Sequence, residues 1–228
     1  MNGKQWLKLL ITQSGGRVEG IFVKEHGIML LSDEKGITHQ AKHLFKEVNI
    51  NQNQPLTKQL AEFTARLTYL SFPASPNYNP EAFHKRLTVM GHTSPYNLKP
   101  IAVLVAGLSI EAVLEIVSGK SNHSGRLTSS DTRAMDDTLY YLPKDADRKS
   151  VRWSIHAIRF FRKFLPAELS TLTRNQLNLA NKASAIVVSM THEEWMQLID
   201  ARLHPNSHCE LEYKIILNRL ITMPRQVN

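Results

Sequence analysis

Apolar residues recur at helical spacing just after the first quarter of the chain. The residues that set this spacing are Leu56, Leu60, Phe63 and Leu67. Because they share one face of a helix, the pattern predicts a helix from Leu56 to Leu70. Asn79 and Pro80 then predict the start of a second helix over about 81–90, since proline is favoured at an early helical position.

The first 50 residues show a different pattern, in which short apolar runs are separated by glycine-rich or charged turns. A Gly-Gly pair precedes the run 18–23, and the polar segment 32–36 follows the next apolar run. Such runs and turns are typical of short strands and hairpins. The sequence therefore predicts a β-rich extension or hairpin over residues 1–55 and a main domain over residues 56–228.

The longest apolar run begins at Ile101. It predicts a buried strand over 101–108, with Ser109 as the N-cap of a helix over 110–118. A shorter apolar run occupies 185–189, and Thr191, followed by two glutamates, predicts another helix start. Further helices are predicted at 150–164, 169–182 and 210–223.

Length and composition restrict the class of protein. A chain of 228 residues with 42% hydrophobic residues fits one domain, or one domain with a small appendage. The single cysteine, Cys209, excludes an internal disulfide framework and fits a reducing compartment. No apolar run reaches the roughly 18 residues that span a bilayer, and we find no signal-peptide pattern. We expect a cytoplasmic protein without a membrane partner.

The charge favours anionic partners. The formal net charge is +8, with ten histidines in addition, which suits nucleotides, folates, phosphates or nucleic acid. The basic residues are dispersed, with local groups at 144–152 and 159–163, and no zinc finger, basic zipper or aromatic RNA-binding motif occurs. A nucleic-acid-associated protein is the least supported partner class.

The stretch Gly91–Tyr96 reads Gly-His-Thr-Ser-Pro-Tyr and lies shortly before the predicted buried strand. Gly and Pro mark a turn. His92 and Ser94 can hold an anion or a cofactor at the mouth of the next element. The alternatives are a turn histidine that bonds to local backbone and a serine that caps the turn.

Four segments in order resemble the flavin-dependent thymidylate synthases. Residues 64–68 are similar to the family's Ala-Arg-Val-Ser segment, and residues 92–95 to its Gly-His-x-Ser/Thr-Pro turn. A Ser/Thr-rich loop with Arg133 stands where the family has its signature. Residues 195–202, followed by 207–211, are similar to the family's last region, an aromatic-led helix ending in Arg and then Ala-Gln-x-Glu-Ile.

The resemblance implies an α+β fold with a central antiparallel or mixed sheet and flanking helices. It implies reductive methylation of deoxyuridylate in a homotetramer with shared sites, with FAD as cofactor and NADPH and methylene-tetrahydrofolate as co-substrates. By resemblance, His92 and Ser94 would bind the flavin, and Arg133 and Arg202 the nucleotide. No residue is assigned a catalytic role.

The chain departs from the family at the Arg-His-Arg signature. Counted from His92, that signature falls on residues 117–119, Val-Ser-Gly, and counted from Arg133 it falls on 121–123, Ser-Asn-His. Neither register supplies the two guanidinium groups that hold phosphates. The alternative is a catalytically altered or inactive paralogue that serves as an assembly subunit or binds another nucleotide or anion.

Two further interpretations stay open for the arginines. Arg133 can instead be a surface residue paired with Asp131 or Asp136, and Arg202 can be a C-terminal helix residue favoured by the dipole. We predict no metal site, because His204, His208 and Glu210 do not have a common ligand spacing.

Overall fold

The computed structural model describes residues 1–73, 75, 77–109, 112–113, 139–142, 149, 182–194 and 219. Its helices are α1 (Gly3–Gln13), α2 (His39–Glu47), α3 (Leu56–Tyr69), α4 (Pro80–Val89) and a 3-10 helix (Ser94–Asn97). Its strands are β1 (Arg17–Glu19), β2 (Phe22–Glu25), β3 (Gly27–Asp33), β4 (Gly36–Ile37), β5 (Ile101–Ser109), β6 (Tyr140–Tyr141) and β7 (Ala183–Met190). This part of the chain is an α+β fold.

The larger sheet has the strand order β4-β3-β5-β7, and every neighbouring pair is antiparallel. Leu104 of β5 lies opposite Met29 of β3 on one side and Val187 of β7 on the other. The smaller sheet has the order β1-β2-β6, in which β1 and β2 are antiparallel and β2 and β6 are parallel. Strand β5 is thus an interior strand of the larger sheet and is buried along its whole length.

Each face of the larger sheet packs in its own apolar cluster, because successive side chains of a strand point to opposite faces. Ala102, Leu104 and Ala106 pack in a cluster with residues of α1, α2 and α3. Val103 and Val105 pack on the opposite face, where Ala112 and Val113 also lie. Burial on both faces explains why β5 reads as a continuous apolar run.

The first 50 residues are less β-rich than predicted. The short strands β1 to β4 confirm that part of the prediction, but residues 3–13 and 39–47 are helices. A capping box between Asn2 and Gln5 begins α1, and the Thr38 hydroxyl accepts a hydrogen bond from the Ala41 N–H at the start of α2. Each helix buries one apolar stripe against the sheet, which stabilises short segments that lack strong helical propensity.

The boundary predicted at residue 55 falls between elements that pack together. Strand β3 precedes it and pairs with β5, which follows it. Helices α1 and α2 also share their apolar cluster with α3. Described residues on both sides of this position therefore contribute to one sheet and one core.

Several predicted elements are confirmed. Helices α3 and α4 and strand β5 lie within a residue or two of their predicted positions. The Ser109 hydroxyl accepts a hydrogen bond from the Ala112 N–H at 3.1 Å, and Thr191 and Glu194 cap each other's backbone N–H groups. The helices predicted at 150–164, 169–182 and 210–223 lie almost wholly outside the described residues.

Across the described residues, no helix combines the length and the apolar character needed to cross a membrane.

Candidate functional site

The Gly-His-Thr-Ser-Pro-Tyr stretch begins where helix α4 ends. Gly91 has a φ of 72°, a left-handed conformation that glycine adopts without a Cβ penalty. The His92 N–H donates to the Leu87 carbonyl at 2.9 Å, and the Gly91 N–H donates to the Thr88 carbonyl at 3.0 Å. These bonds close the helix and direct the chain into the 3-10 helix, with Pro95 in its first turn.

The first part of this stretch is open to solvent. His92, Thr93 and Ser94 are all exposed, whereas Pro95 is buried and Tyr96 is partly buried. An exposed imidazole and two exposed hydroxyls offer hydrogen-bond donors and acceptors to a ligand. The flavin-contacting role of His92 and Ser94 stays a prediction, and Arg133 and Arg202, like His204, His208 and Glu210, lie outside the described residues.

Beneath this surface a chain of side-chain hydrogen bonds runs inward from Tyr96. The Tyr96 hydroxyl lies 2.6 Å from Nδ1 of His84, which belongs to α4. Nε2 of His84 lies 2.7 Å from Oε1 of Gln54, a residue of the loop before α3. The Gln54 amide donates to Oε2 of Glu62 on α3 at 2.9 Å. The 3-10 helix, helix α4, and helix α3 with the loop that precedes it meet in this network.

An ion pair completes the network. Nε of Arg66 donates to Oε1 of Glu62 at 2.7 Å, and the Glu62 side chain is fully buried. Arg66 also donates to the Ser71 carbonyl at 2.9 Å, and its guanidinium lies over the rings of Phe83 and Tyr78, 4.0 Å and 5.0 Å from the ring centroids. Arg66 is therefore engaged inside the protein and not offered to an external anion.

Burial determines the protonation states around the ion pair. Burial and a hydrogen bond to Glu62 raise the pKa of Tyr78 to about 12. Burial and the Glu62 charge raise the pKa of Tyr96. Burial lowers the pKa of His84, with smaller contributions from Lys58 and Arg66, while Glu62 acts in the opposite direction. Near neutral pH, both tyrosines are protonated and His84 is uncharged.

A second buried histidine lies away from the turn, between the two sheets. Nδ1 of His26 donates to the Gly107 carbonyl at 3.1 Å, and the ring lies against Tyr141 with the centroids 4.6 Å apart. Gly107 has a φ of 89° at a register shift in β5, and a Cβ there would lie 2.8 Å from Val23. Burial lowers the pKa of His26 to about 4, so this histidine is neutral in the folded protein.

The sequence matches no protein-family model, and no curated protein is significantly similar to it. Three features of the chain bear on function: the turn, the network beneath it and the order of the four segments. The turn supplies imidazole and hydroxyl groups, which suit the polar edge of a flavin or a phosphate. Lys85 and Arg86 are exposed cations near the end of α4, within about two helical turns of His92.

The network does not follow from the sequence alone. One signal is present, because Glu62 and Arg66 are four residues apart on a predicted helix and so lie on the same side of it. That spacing is more common on exposed helix faces, and it does not reveal that Gln54, His84 and Tyr96 converge on the same carboxylate. Tyr96 belongs to the turn motif, but its inward hydrogen bond depends on tertiary contact.

Proposed function

We propose that this protein binds a nucleotide-type anion at the turn 91–96 and that FAD and deoxyuridylate are the ligands to test first. The observation that carries the proposal is that exposed polar residues and residues with fixed positions occur together in one short stretch. His92, Thr93 and Ser94 are exposed, while the residues on either side of them are fixed by the helix cap at Gly91 and by the Tyr96–His84 hydrogen bond. Polar groups on a preorganised turn lose little conformational entropy on binding a ligand.

The charge of the chain supports an anionic ligand. The formal net charge of +8 attracts nucleotides and phosphates over a distance. Lys85 and Arg86 add exposed positive charge to the helix that leads into the turn. An imidazole and hydroxyls then provide directional hydrogen bonds at the contact itself.

The reaction that we propose is the one implied by the resemblance, namely reductive methylation of deoxyuridylate with methylene-tetrahydrofolate and NADPH. The flavin would carry the hydride, while the chain would bind and orient the reactants. His92 and Ser94 would contact the flavin, and Arg133 and Arg202 would contact the nucleotide. A homotetramer would complete sites that one chain leaves open.

A second candidate is a paralogue that keeps the binding turn and has lost the reaction. Two observations favour it: the Arg-His-Arg signature is missing in both registers, and Arg66 pairs with the buried Glu62. Since charge-assisted hydrogen bonds contribute about 1.5–3 kcal/mol each, the loss of several would weaken flavin binding by orders of magnitude. Measuring deoxythymidylate formation from deoxyuridylate separates the two candidates.

The binding proposal is tested by titrating the purified protein with FAD and with deoxyuridylate and following heat release and flavin fluorescence. We expect saturable binding of both ligands, with FAD binding about three- to tenfold weaker in His92→Ala and in Ser94→Ala, the effect of one lost hydrogen bond. His192→Ala removes another exposed histidine and should leave both affinities unchanged. Binding that is absent in the wild type, or equal in all variants, would overturn the proposal.

A further inference from the structure

The hydrogen bond of Tyr96 has a defined direction because of the groups behind it. The buried Glu62 carboxylate already pairs with Arg66 and can only accept hydrogen bonds. The Gln54 amide nitrogen must therefore face Glu62, and it also donates to the Asn51 carbonyl at 3.1 Å. The Gln54 oxygen is left to face His84 at 2.7 Å, where it can only accept.

The tautomer of His84 follows from that orientation. Because the Gln54 oxygen accepts, Nε2 of the neutral His84 ring carries the hydrogen. Nδ1 then presents a lone pair, and the Tyr96 hydroxyl, 2.6 Å away, must donate to it. The orientation of each side chain is thus fixed by the next one inward, from Tyr96 at the turn to the Glu62–Arg66 ion pair.

We propose that Tyr96 and His84 are positioning residues for the candidate ligand site, and that the directed bond from Tyr96 to His84 holds His92 and Ser94 in their binding conformation. This inference rests on the proposed function, because it concerns the same turn. Neither residue needs to touch the ligand. Tyr96 acts through the backbone that it shares with the turn, and His84 acts through its bond to Tyr96.

The charges and dipoles around His84 favour this arrangement. Lys58 and Arg66 of α3 disfavour a second proton on the ring, and Glu62 of α3 favours it from 3.9 Å. From the loop, Gln54 accepts from the ring, and the Phe83 ring of α4 lies beside it edge-on, with 5.7 Å between the centroids. The neutral ring can therefore accept from Tyr96 while it donates to Gln54.

The test uses Tyr96→Phe, which removes only the hydroxyl, with Tyr140→Phe as the matched control, because Tyr140 is a partly buried tyrosine in β6. Nitrogen-15 NMR of the wild-type histidine rings should show His84 protonated on Nε2 and unprotonated on Nδ1. In Tyr96→Phe the Nδ1 resonance should move downfield, as it does when a lone pair loses its donor. The backbone amide signals of His92, Thr93 and Ser94 should shift or broaden in the same variant, and Tyr140→Phe should change none of these signals.

Ligand binding supplies the second readout. We expect Tyr96→Phe to weaken FAD binding about three- to tenfold at an unchanged folded fraction, the effect of one lost hydrogen bond. Gln54→Met, which removes both the acceptor that fixes the ring and the N–H donor to Glu62, should give a mixture of His84 tautomers. A wild-type His84 protonated on Nδ1 would overturn the inference, and so would wild-type affinity in Tyr96→Phe.

The two proposals fail in different ways. If the wild type binds neither probe, the proposed function is wrong. The positioning of the turn is then decided by the NMR signals alone, and unperturbed amide signals at 92–94 in Tyr96→Phe would overturn it as well. If the wild type binds both probes and Tyr96→Phe binds them equally well, only the positioning role is wrong.

Discussion

Helix α3 and strand β5 are both buried, but they are buried in different ways. All nine residues of β5 are buried, and their side chains are apolar apart from Ser109. Helix α3 also buries Leu60, Phe63 and Leu67, yet it carries the fully buried Glu62 carboxylate on the same element. One element is stabilised mainly by apolar packing, and the other also depends on a charge that must keep its partners.

This difference separates two roles within the fold. Apolar packing is non-directional, so the apolar side chains of β5 provide stability without orienting a polar group. Hydrogen bonds and ion pairs are directional, and those of α3 extend through Gln54 and His84 to Tyr96 at the turn. Replacing a buried ion pair by apolar residues is often neutral for stability. We therefore interpret the α3 network as a means of positioning the turn.

The largest effect is expected from Glu62→Gln, which removes one charge and keeps the shape. Arg66 would remain largely buried without its partner, and removing one member of a buried pair costs about 3–5 kcal/mol. Urea denaturation should show this decrease in the free energy of unfolding. Glu34→Gln, at an exposed turn position, is the control and should change stability by less than about 0.5 kcal/mol. A loss below about 1 kcal/mol for Glu62→Gln would contradict a strongly coupled pair.

The apolar side of the comparison is tested at Leu104, which is fully buried in β5. Leu104→Ala should destabilise the protein by about 2–5 kcal/mol, because it removes buried methyl groups and leaves a cavity. Leu104→Met keeps the volume and should cost less than about 1.5 kcal/mol. We thus expect a conservative substitution to be tolerated in β5 and the equally conservative Glu62→Gln in α3 to be destabilising. Equal losses for Leu104→Met and Leu104→Ala would remove the distinction.

The pH dependence of stability tests the second buried histidine. The pKa of His26 is about 4 in the folded protein, against an ordinary histidine value of 6.5, so the unfolded chain takes up a proton first. The contribution of His26 to the free energy of unfolding is therefore complete above pH 6.5. It is lost as the pH decreases toward 4, and the total loss is about 3 kcal/mol. In His26→Gln this contribution is absent, so the difference in the free energy of unfolding between wild type and variant should decrease as the pH falls. A difference that is constant from pH 7 to pH 4.5 would show that His26 titrates normally.

The smallest effect is expected at Gly91, where the backbone is left-handed and a Cβ would meet no atom within 4 Å. Gly91→Ala should cost about 1–2 kcal/mol through the conformation alone, and thermal unfolding measures it. Gly91→Asn should cost less, because asparagine tolerates the left-handed region. If alanine and asparagine are equally well tolerated, the turn has another conformation in solution.

The sequence predicts those parts of the fold in which one pattern dominates. Helix α3 has four apolar residues in register, α4 has an Asn-Pro start, and β5 is a continuous apolar run, so local chemistry and tertiary burial agree. Helices α1 and α2 are not predicted, because each is short and its apolar residues can also be interpreted as a strand. Only packing against the sheet resolves that ambiguity.

The candidate site, likewise, can be predicted only in part from the sequence. The turn at Gly91 and the exposed His92 and Ser94 follow from the residue types. The role of Tyr96 does not, because its partner His84 lies on the preceding helix and the groups that orient His84 come from two further segments. Contacts between separate segments leave no fixed spacing in a single sequence.

The most direct test of the central claim is to follow the backbone amide NMR signals of the wild-type protein while FAD, and then deoxyuridylate, is added. If the turn is the binding surface, the signals of residues 91–94 should show the largest shifts and saturate with the ligand, and the signals of Tyr96 and His84 should show smaller shifts with the same saturation curve. Saturable shifts that leave residues 91–94 unchanged, or no shifts at millimolar ligand, would contradict the claim that this turn binds a nucleotide-type anion.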